Sequence, residues 1–174
     1  MNRLEIFSTE LNLIKNLEIR KFVETCLNEA PEYFFTVAAS STGKYHPSYA
    51  LGEGGLVRHT QAATRIAHEL FRTEMFPYNS DQQDIIIGSL ILHDTYKHGL
   101  NGSKYTVVEH PIIAAEQVMK SKGVIKQEWR ELISNNIRTH MGRFNTDYKT
   151  GREVLEKPKT GMQNFVHMCD YLRV

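Results

Sequence analysis

Four histidines and two aspartates of this sequence could bind metal ions, because each falls at an inward or terminal position of a predicted helix. They are His59, His93, Asp94, His110, His140 and Asp170. Imidazole nitrogens and carboxylate oxygens are ordinary ligands of divalent metals, and both groups are costly to bury without a partner. A single inward histidine is more often a hydrogen-bonded core residue than a ligand. Six such groups on five predicted helices favour a common metal site.

The segment from Ile85 to Lys97 is the stretch around which the other elements are arranged. Residues 85–92 are apolar or small at every position, so the helix they predict has no polar face and belongs in the middle of a domain. This helix ends in the adjacent pair His93 and Asp94, and Lys97 follows three residues after the carboxylate. We expect Ser80 or Asp81 to cap its first turn.

Helical periodicity places the four other ligand candidates, with His140 in phase with Ile133 and Ile137 and Asp170 on the same side as Val166 and Cys169. His59 shares a face with Ala63 and Ile66, so it points inward. His110 lies in the opening turn of a helix for which Thr106–Glu109 has the pattern of a capping box. Because Pro111 follows, a helix that begins a few residues later is the alternative.

The rest of the chain predicts an all-α fold. Two amphipathic helices separated near Asn16 open the sequence, and Pro31 ends the second. Residues 32–55 are rich in glycine and small residues, which indicates a long ordered loop. We find no run of strand alternation. We therefore expect a compact helical bundle with the metal site at its core, formed by a single domain over residues 1–174.

Composition limits the partners. With 174 residues, 41% of them hydrophobic, and a formal net charge of +1, the chain can bury a core and gives no electrostatic reason to expect a long nucleic-acid duplex or a membrane surface. Cys26 and Cys169 form no metal-type spacing, which favours a reduced intracellular protein. No leader or membrane span is predicted. We expect a cytoplasmic protein, and its oligomeric state stays open.

The order of the six candidates, from His59 through His93-Asp94, His110 and His140 to Asp170, resembles the signature of the HD-domain metal-dependent phosphohydrolases. Short segments around these residues also resemble that family. Residues 54–60 (GGLVRHT) resemble the surroundings of the first histidine of that family, and residues 93–97 (HDTYK) resemble its HD-x-x-K element. Residues 34–46 resemble the approach to the first histidine in HD-type 3′–5′ exoribonucleases.

The resemblance implies two metal ions. His59, His93, Asp94 and Asp170 would bind one ion, and Asp94, His110 and His140 would bind the other, with Asp94 as the bridge. Mixed imidazole and carboxylate ligands suit divalent Mn, Fe, Co or Ni, and the ligand set does not choose among them.

The expected chemistry is phosphoester hydrolysis. A hydroxide that bridges two such cations would attack phosphorus in line, with Asp94 and Lys97 as catalytic residues. Lys97 would neutralise charge on the substrate phosphate, because without an anion it is repelled by the two cations. His46 and Arg143 are further candidates for substrate binding. For both, a local structural role is the alternative interpretation.

Three functional hypotheses follow. The first is an enzyme that cleaves a phosphodiester in a nucleotide, a cyclic nucleotide or a short oligonucleotide. The second keeps the metal-dependent phosphohydrolase but makes it a nucleotidase, with a nucleoside mono- or triphosphate as substrate. The third is a catalytically silent HD module that binds a nucleotide. The chain lacks the glycine-tyrosine-proline element of HD-GYP phosphodiesterases and has no room for the OB-type domain of the exonuclease relatives, so processive RNA degradation is not expected.

Overall fold

The computed structural model describes residues 2–40 and 47–172, and these residues form helices and connecting loops. The helices are α1 (Arg3–Ile6), α2 (Ser8–Leu11), α3 (Leu17–Glu29), α4 (Gly55–Phe71), α5 (Ser80–Leu92), α6 (His110–Lys120), α7 (Gln127–Arg138) and α8 (Gly161–Tyr171), with 3₁₀ turns at Glu32–Phe35 and Ser48–Ala50. The described residues contain no strand, and their isolated β-bridge joins Thr146 to Glu153. The predicted all-α fold is confirmed.

Helix α5 is the centre of the bundle, as its sequence predicts. Every residue of this helix from Asp84 to Leu92 is buried. The helix packs against α3, α4, α7 and α8. Because no side of α5 carries a polar stripe, neighbours can cover it all round, and its end delivers His93 and Asp94 to the interior.

The predicted cap of α5 was wrong, whereas the later start given as the alternative for α6 is confirmed. Helix α5 is capped by Asn79, whose side chain accepts a hydrogen bond from the Gln82 backbone N–H at 3.0 Å while the Gln82 side chain accepts one from the Asn79 N–H at 3.0 Å. This reciprocal pair places the cap one residue before Ser80. Helix α6 begins at His110 and has no side-chain cap. Pro111 is the second residue of this helix. Proline is tolerated in the first turn because the backbone N–H that it lacks has no intrahelical partner there.

The first predicted helix is divided in two at Phe7. This residue is fully buried, and its ring stacks on Phe34 at a centroid distance of 5.8 Å. Phe35 meets the same ring edge-on at 6.5 Å. The aromatic contact ties the N-terminal segment to the 3₁₀ turn that replaces the start of the predicted loop.

Neither cysteine is available for chemistry. Cys26 and Cys169 are free and buried, and burial raises the pKa of each thiol to about 12. Both are therefore protonated and unreactive at neutral pH. No helix in the described ranges has the length and apolar character to cross a membrane.

Close packing between α3 and α5 depends on Gly88. A Cβ atom at this position would lie 2.9 Å from Cγ2 of Val23, which is shorter than van der Waals contact. Glycine therefore lets the central helix approach α3 closely, at the cost of lower helix propensity.

We expect Gly88→Ala to lower the free energy of unfolding by about 1–3 kcal/mol, because overpacking outweighs the gain of about 1 kcal/mol in helix propensity. Urea unfolding of the metal-free protein measures the change. Val23→Ala removes the obstructing methyl group, so the double variant should be more stable than the sum of the two single changes predicts. Strict additivity would contradict the packing argument.

Candidate metal centre

The structure brings the six predicted ligand residues together in the core. His59 comes from α4, the His93-Asp94 pair from the end of α5, and Asp170 from α8. His110 opens α6, and His140 follows α7. All six are at least nine-tenths buried. Their ligand atoms form three groups within 4.8 Å: His59 with His93 and Asp94; His93 with His140 and Asp170; and Asp94 with His110 and His140.

Asp94 lies between two pairs of imidazoles. Its Oδ2 atom is 3.4 Å from His59 Nε2 and 3.5 Å from His93 Nε2. Its Oδ1 atom is 3.1 Å from His110 Nε2 and 3.5 Å from His140 Nε2. Each carboxylate oxygen therefore faces a separate pair of histidines, which is the arrangement a bridging ligand requires.

Asp170 makes close contacts with the first pair. Its Oδ1 atom is 3.1 Å from His59 Nε2 and 3.3 Å from His93 Nε2. These distances fit a group of four and a group of three that share Asp94, although the group of His93, His140 and Asp170 within 4.8 Å crosses that division. This is the division that the resemblance implies, although their role as metal ligands stays a prediction.

Three of the four histidines have a tautomer fixed by the backbone. The Nδ1 atom of His93 is 2.6 Å from the Leu90 carbonyl oxygen, that of His110 is 2.7 Å from the Val107 oxygen, and that of His140 is 2.7 Å from the Ile137 oxygen. A carbonyl oxygen only accepts hydrogen bonds, so each Nδ1 must carry the proton and donate it. The Nε2 atom of each ring is then left to bind a cation.

The Nε2 atoms approach one another closely. His110 Nε2 and His140 Nε2 are 3.3 Å apart, and His59 Nε2 and His93 Nε2 are 3.2 Å apart. In the neutral tautomer that the backbone fixes, His110 has only a lone pair at this atom. Two lone pairs at such a distance repel each other, and a positive charge between them, either a proton or a metal ion, turns the contact into an attraction.

A further observation indicates that these groups suit divalent cations. Asp94 Oδ1 is buried, and none of the described residues donates a hydrogen bond of ordinary geometry to it. The nearest group, His110 Nε2, has no hydrogen to give in its fixed tautomer. A buried carboxylate oxygen that faces two imidazole lone pairs lacks positive charge, and mixed nitrogen and oxygen ligands match first-row transition metals.

Burial and neighbouring charges shift the pKa values of the groups at the centre in different directions. Burial lowers the pKa of His59 and of His110, which favours the neutral rings that metals bind. For Asp94, burial alone would raise the pKa, but Lys97 and His93 outweigh it and hold the pKa well below 3.8. For His93, the carboxylates of Asp94 and Asp170 outweigh burial and raise the pKa. A metal ion at the first group would therefore compete with a proton on His93.

Lys97 differs from its sequence-based description. Its ammonium donates a hydrogen bond to Asp94 Oδ2 at 2.6 Å, and the lysine is buried. The lysine is thus paired with the predicted bridge itself. Its contact with a substrate phosphate stays a prediction.

The other two substrate candidates are His46 and Arg143. His46 falls outside the residues that the structure describes. Arg143 is exposed, and its Nη2 donates a hydrogen bond to the Tyr171 hydroxyl at 2.9 Å. The guanidinium also lies 5.0 Å from the ring centroids of Phe144 and Tyr171. Arg143 follows His140 by three residues. Its contacts in the structure are with Phe144 and Tyr171 rather than with the six predicted ligand groups.

His167 supports the centre and was missed by the sequence analysis. Its Nδ1 donates a hydrogen bond to the His140 carbonyl oxygen at 2.7 Å, which ties α8 to the end of α7. Gly142 permits this contact, because it has a φ of +56° and a Cβ atom there would come within 2.3 Å of the His167 ring. The available signal was position: His167 lies one helical turn before Asp170 and can reach the element that carries His140.

A second supporting contact fixes the turn after Lys97. His98 is buried, and its ring stacks on Tyr33 at 5.4 Å. The Tyr33 hydroxyl donates to the Gly99 carbonyl at 2.7 Å and accepts from the His98 backbone N–H at 3.2 Å. These bonds hold the non-helical turn that aims Lys97 at Asp94.

Comparison of the chain with models of protein families, with curated proteins and with solved structures gives no match in any of the three. This centre is therefore inferred from its geometry and from the order of its residues.

Protein purified without chelator should carry close to two transition-metal equivalents per chain, and His110→Ala should lose one of them while keeping the fold. The substitution removes a ligand of the three-residue group only. Elemental analysis checks the content, with His68→Ala as the control, because His68 is half exposed and lies outside the cluster. One equivalent or fewer in fully loaded wild-type protein would contradict two sites.

Asp94→Asn should weaken both metal sites, whereas Asp170→Asn should weaken only one. The reason is that Asp94 faces both imidazole pairs, and Asp170 makes close contacts with the pair formed by His59 and His93. Titration of the metal-free proteins with Co²⁺, followed by visible absorption, measures the two affinities. Loss of a single site in Asp94→Asn would show that this carboxylate is not shared.

Proposed function

We propose that the protein is a metal-dependent phosphohydrolase of the HD type that cleaves a phosphodiester in a nucleotide, a cyclic nucleotide or a short oligonucleotide. One observation carries this proposal: the two oxygens of Asp94 face two separate pairs of imidazoles, each within 3.5 Å. That arrangement supports two cations a few Å apart, which is the arrangement used for in-line displacement at phosphorus.

Two divalent cations held by these residues would supply an activated water near neutral pH and positive charge for the phosphate oxygens. The chain's own part is to hold the ligands still. The Nδ1–H groups of His93, His110 and His140 are fixed on backbone carbonyls, so the rings cannot turn away when charge develops. Burial of all six groups strengthens their interactions with a bound anion.

Lys97 has a separate part. Its ammonium is 2.6 Å from Asp94 Oδ2, an atom that a bound cation would also use. Positive charge at the centre would therefore repel the ammonium from its present partner. A phosphate brings new negative charge to the same place, so the lysine gains a partner when substrate is present. This interaction lowers the barrier by as much as it is stronger in the transition state than in the bound substrate.

A hydrolysis screen tests the proposal. Metal-free protein reloaded with Mn²⁺ would be assayed on an aryl phosphodiester, an aryl phosphomonoester and a panel of nucleotides and short oligonucleotides. We expect turnover of phosphodiesters, and Asp94→Asn should abolish it. Turnover confined to monoesters or nucleoside triphosphates would instead support a nucleotidase. No turnover by the protein with two bound metals would contradict the enzyme and favour a nucleotide-binding module.

Lys97→Met should lower kcat/KM by about 10²–10³-fold while the metal content stays at or above that of the wild type. Removal of a buried cation beside the cluster favours bound metal ions, yet it removes the charge that meets the phosphate. Activity and elemental analysis are measured on the same preparation. Lys104→Met, which changes an exposed lysine of the following loop, is the control. A metal-loaded Lys97→Met protein within about threefold of wild-type kcat/KM would exclude Lys97 from the mechanism.

A further inference from the structure

Three exposed side chains next to the metal centre form a surface that we call the aromatic platform: Arg143, Phe144 and Tyr171. The rings of Phe144 and Tyr171 stack at a centroid distance of 5.9 Å and an angle of 27°. They nevertheless remain 47% and 49% exposed. The guanidinium of Arg143 lies 5.0 Å from both centroids. Two large rings and a cation thus share one open surface.

The residues of the platform follow two predicted ligands in the sequence, within four positions. Tyr171 comes immediately after Asp170, so its Cα lies about 3.8 Å from that of the ligand. Arg143 and Phe144 come three and four residues after His140. The hydrogen bond from His167 to the His140 carbonyl at 2.7 Å fixes the two halves of the platform to each other and to the centre.

Among the residues that the structure describes, no carboxylate pairs with the charge of the platform. Further along the same loop, Lys157 pairs with Glu153 at 2.6 Å, and Lys159 pairs with Glu156 at 3.2 Å. None of the ion pairs in the described residues involves Arg143, whose partners are the Tyr171 hydroxyl and the two rings. An unpaired cation beside aromatic faces attracts a ligand that carries both negative charge and a flat π system.

We propose that the aromatic platform stacks a nucleobase of the substrate whose phosphate lies at the metal centre. The inference rests on the proposed function for the position of the phosphate. Every base has a π face, so this binding tolerates different bases but requires one that is not enclosed in a duplex. The substrate class is therefore an unpaired nucleotide unit, as in a short single strand, rather than a phosphoester that lacks a base.

Fluorescence titration tests this directly. The probe is a phosphorothioate-linked dinucleotide that carries 2-aminopurine and resists hydrolysis, titrated with the metal-loaded protein. We expect stacking to quench the probe. Phe144→Ala and Tyr171→Ala should each raise its Kd by about tenfold, whereas Tyr171→Phe, which keeps the ring, should stay close to wild type. The matched control is Tyr148→Ala, because Tyr148 is 82% exposed on the same loop and its ring contacts Lys149.

The alternative is that the platform has only a structural role. If the platform only closes the loop onto α8, both alanine variants will bind the probe within twofold of wild type, and an analogue with abasic sugars will compete equally well. Either result, or no binding by wild-type protein, overturns the platform. The failure of the platform can be distinguished from the failure of the proposed function. If wild type and both alanine variants hydrolyse nucleotides at equal rates, the enzyme is supported and the platform is not. If probe binding depends on Phe144 and Tyr171 but the protein hydrolyses no ester, the platform is supported and the enzyme is not.

Discussion

The structure depends on one buried carboxylate. Asp94 is almost fully enclosed, and an ionised carboxylate in such a place is stable only when positive charge surrounds it. Lys97 supplies one charge at 2.6 Å, and four imidazole Nε2 atoms lie within 3.5 Å. Helices α4 to α8 are arranged so that each brings a group to this point, because no single helix could satisfy both oxygens.

The helical fold also sets the chemistry of the histidines. His93, His110 and His140 each donate Nδ1–H to the carbonyl three residues earlier, at Leu90, Val107 and Ile137 respectively. Carbonyls at helix ends and in turns can accept such a side-chain donor, and the Val107 and Ile137 oxygens also accept the backbone N–H of the same histidines. A ligand histidine at a helix terminus therefore finds its supporting acceptor locally. This explains why the centre forms where helices begin and end rather than along their middles.

The sequence predicted those parts of the molecule that follow from periodicity and residue type. The helical class, the fully buried α5 and the convergence of the six ligand residues all belong here, because inward phase on a helix is a local property. The Asn79 cap was not predicted, because Ser80 and Asp81 are also good capping residues and the sequence does not choose among the three. The division at Phe7 was not predicted, because the Phe7 ring stacks on Phe34, which is distant in the sequence. His167 was missed for a different reason: its position one turn before Asp170 was a signal, but its partner is a backbone carbonyl, which residue types do not indicate. The pairing of Lys97 with Asp94 required the exact turn that Tyr33 and His98 hold.

A centre of this kind links metal binding to the stability of the whole bundle. The apolar surface of α5 provides a large favourable term on folding, but the same core must accept two carboxylates, a lysine and four imidazoles away from water. Without cations, protons and Lys97 supply the only positive charge that the described residues place there. Cations that bind only the folded chain would stabilise it by mass action, and the gain would grow with the logarithm of their concentration over their dissociation constant. Because the ligands come from five helices that are far apart in the sequence, the unfolded chain offers no comparable site. Metal occupancy and the packing of α4 to α8 should therefore change together, and Lys97 is the residue that must give up its partner when they do.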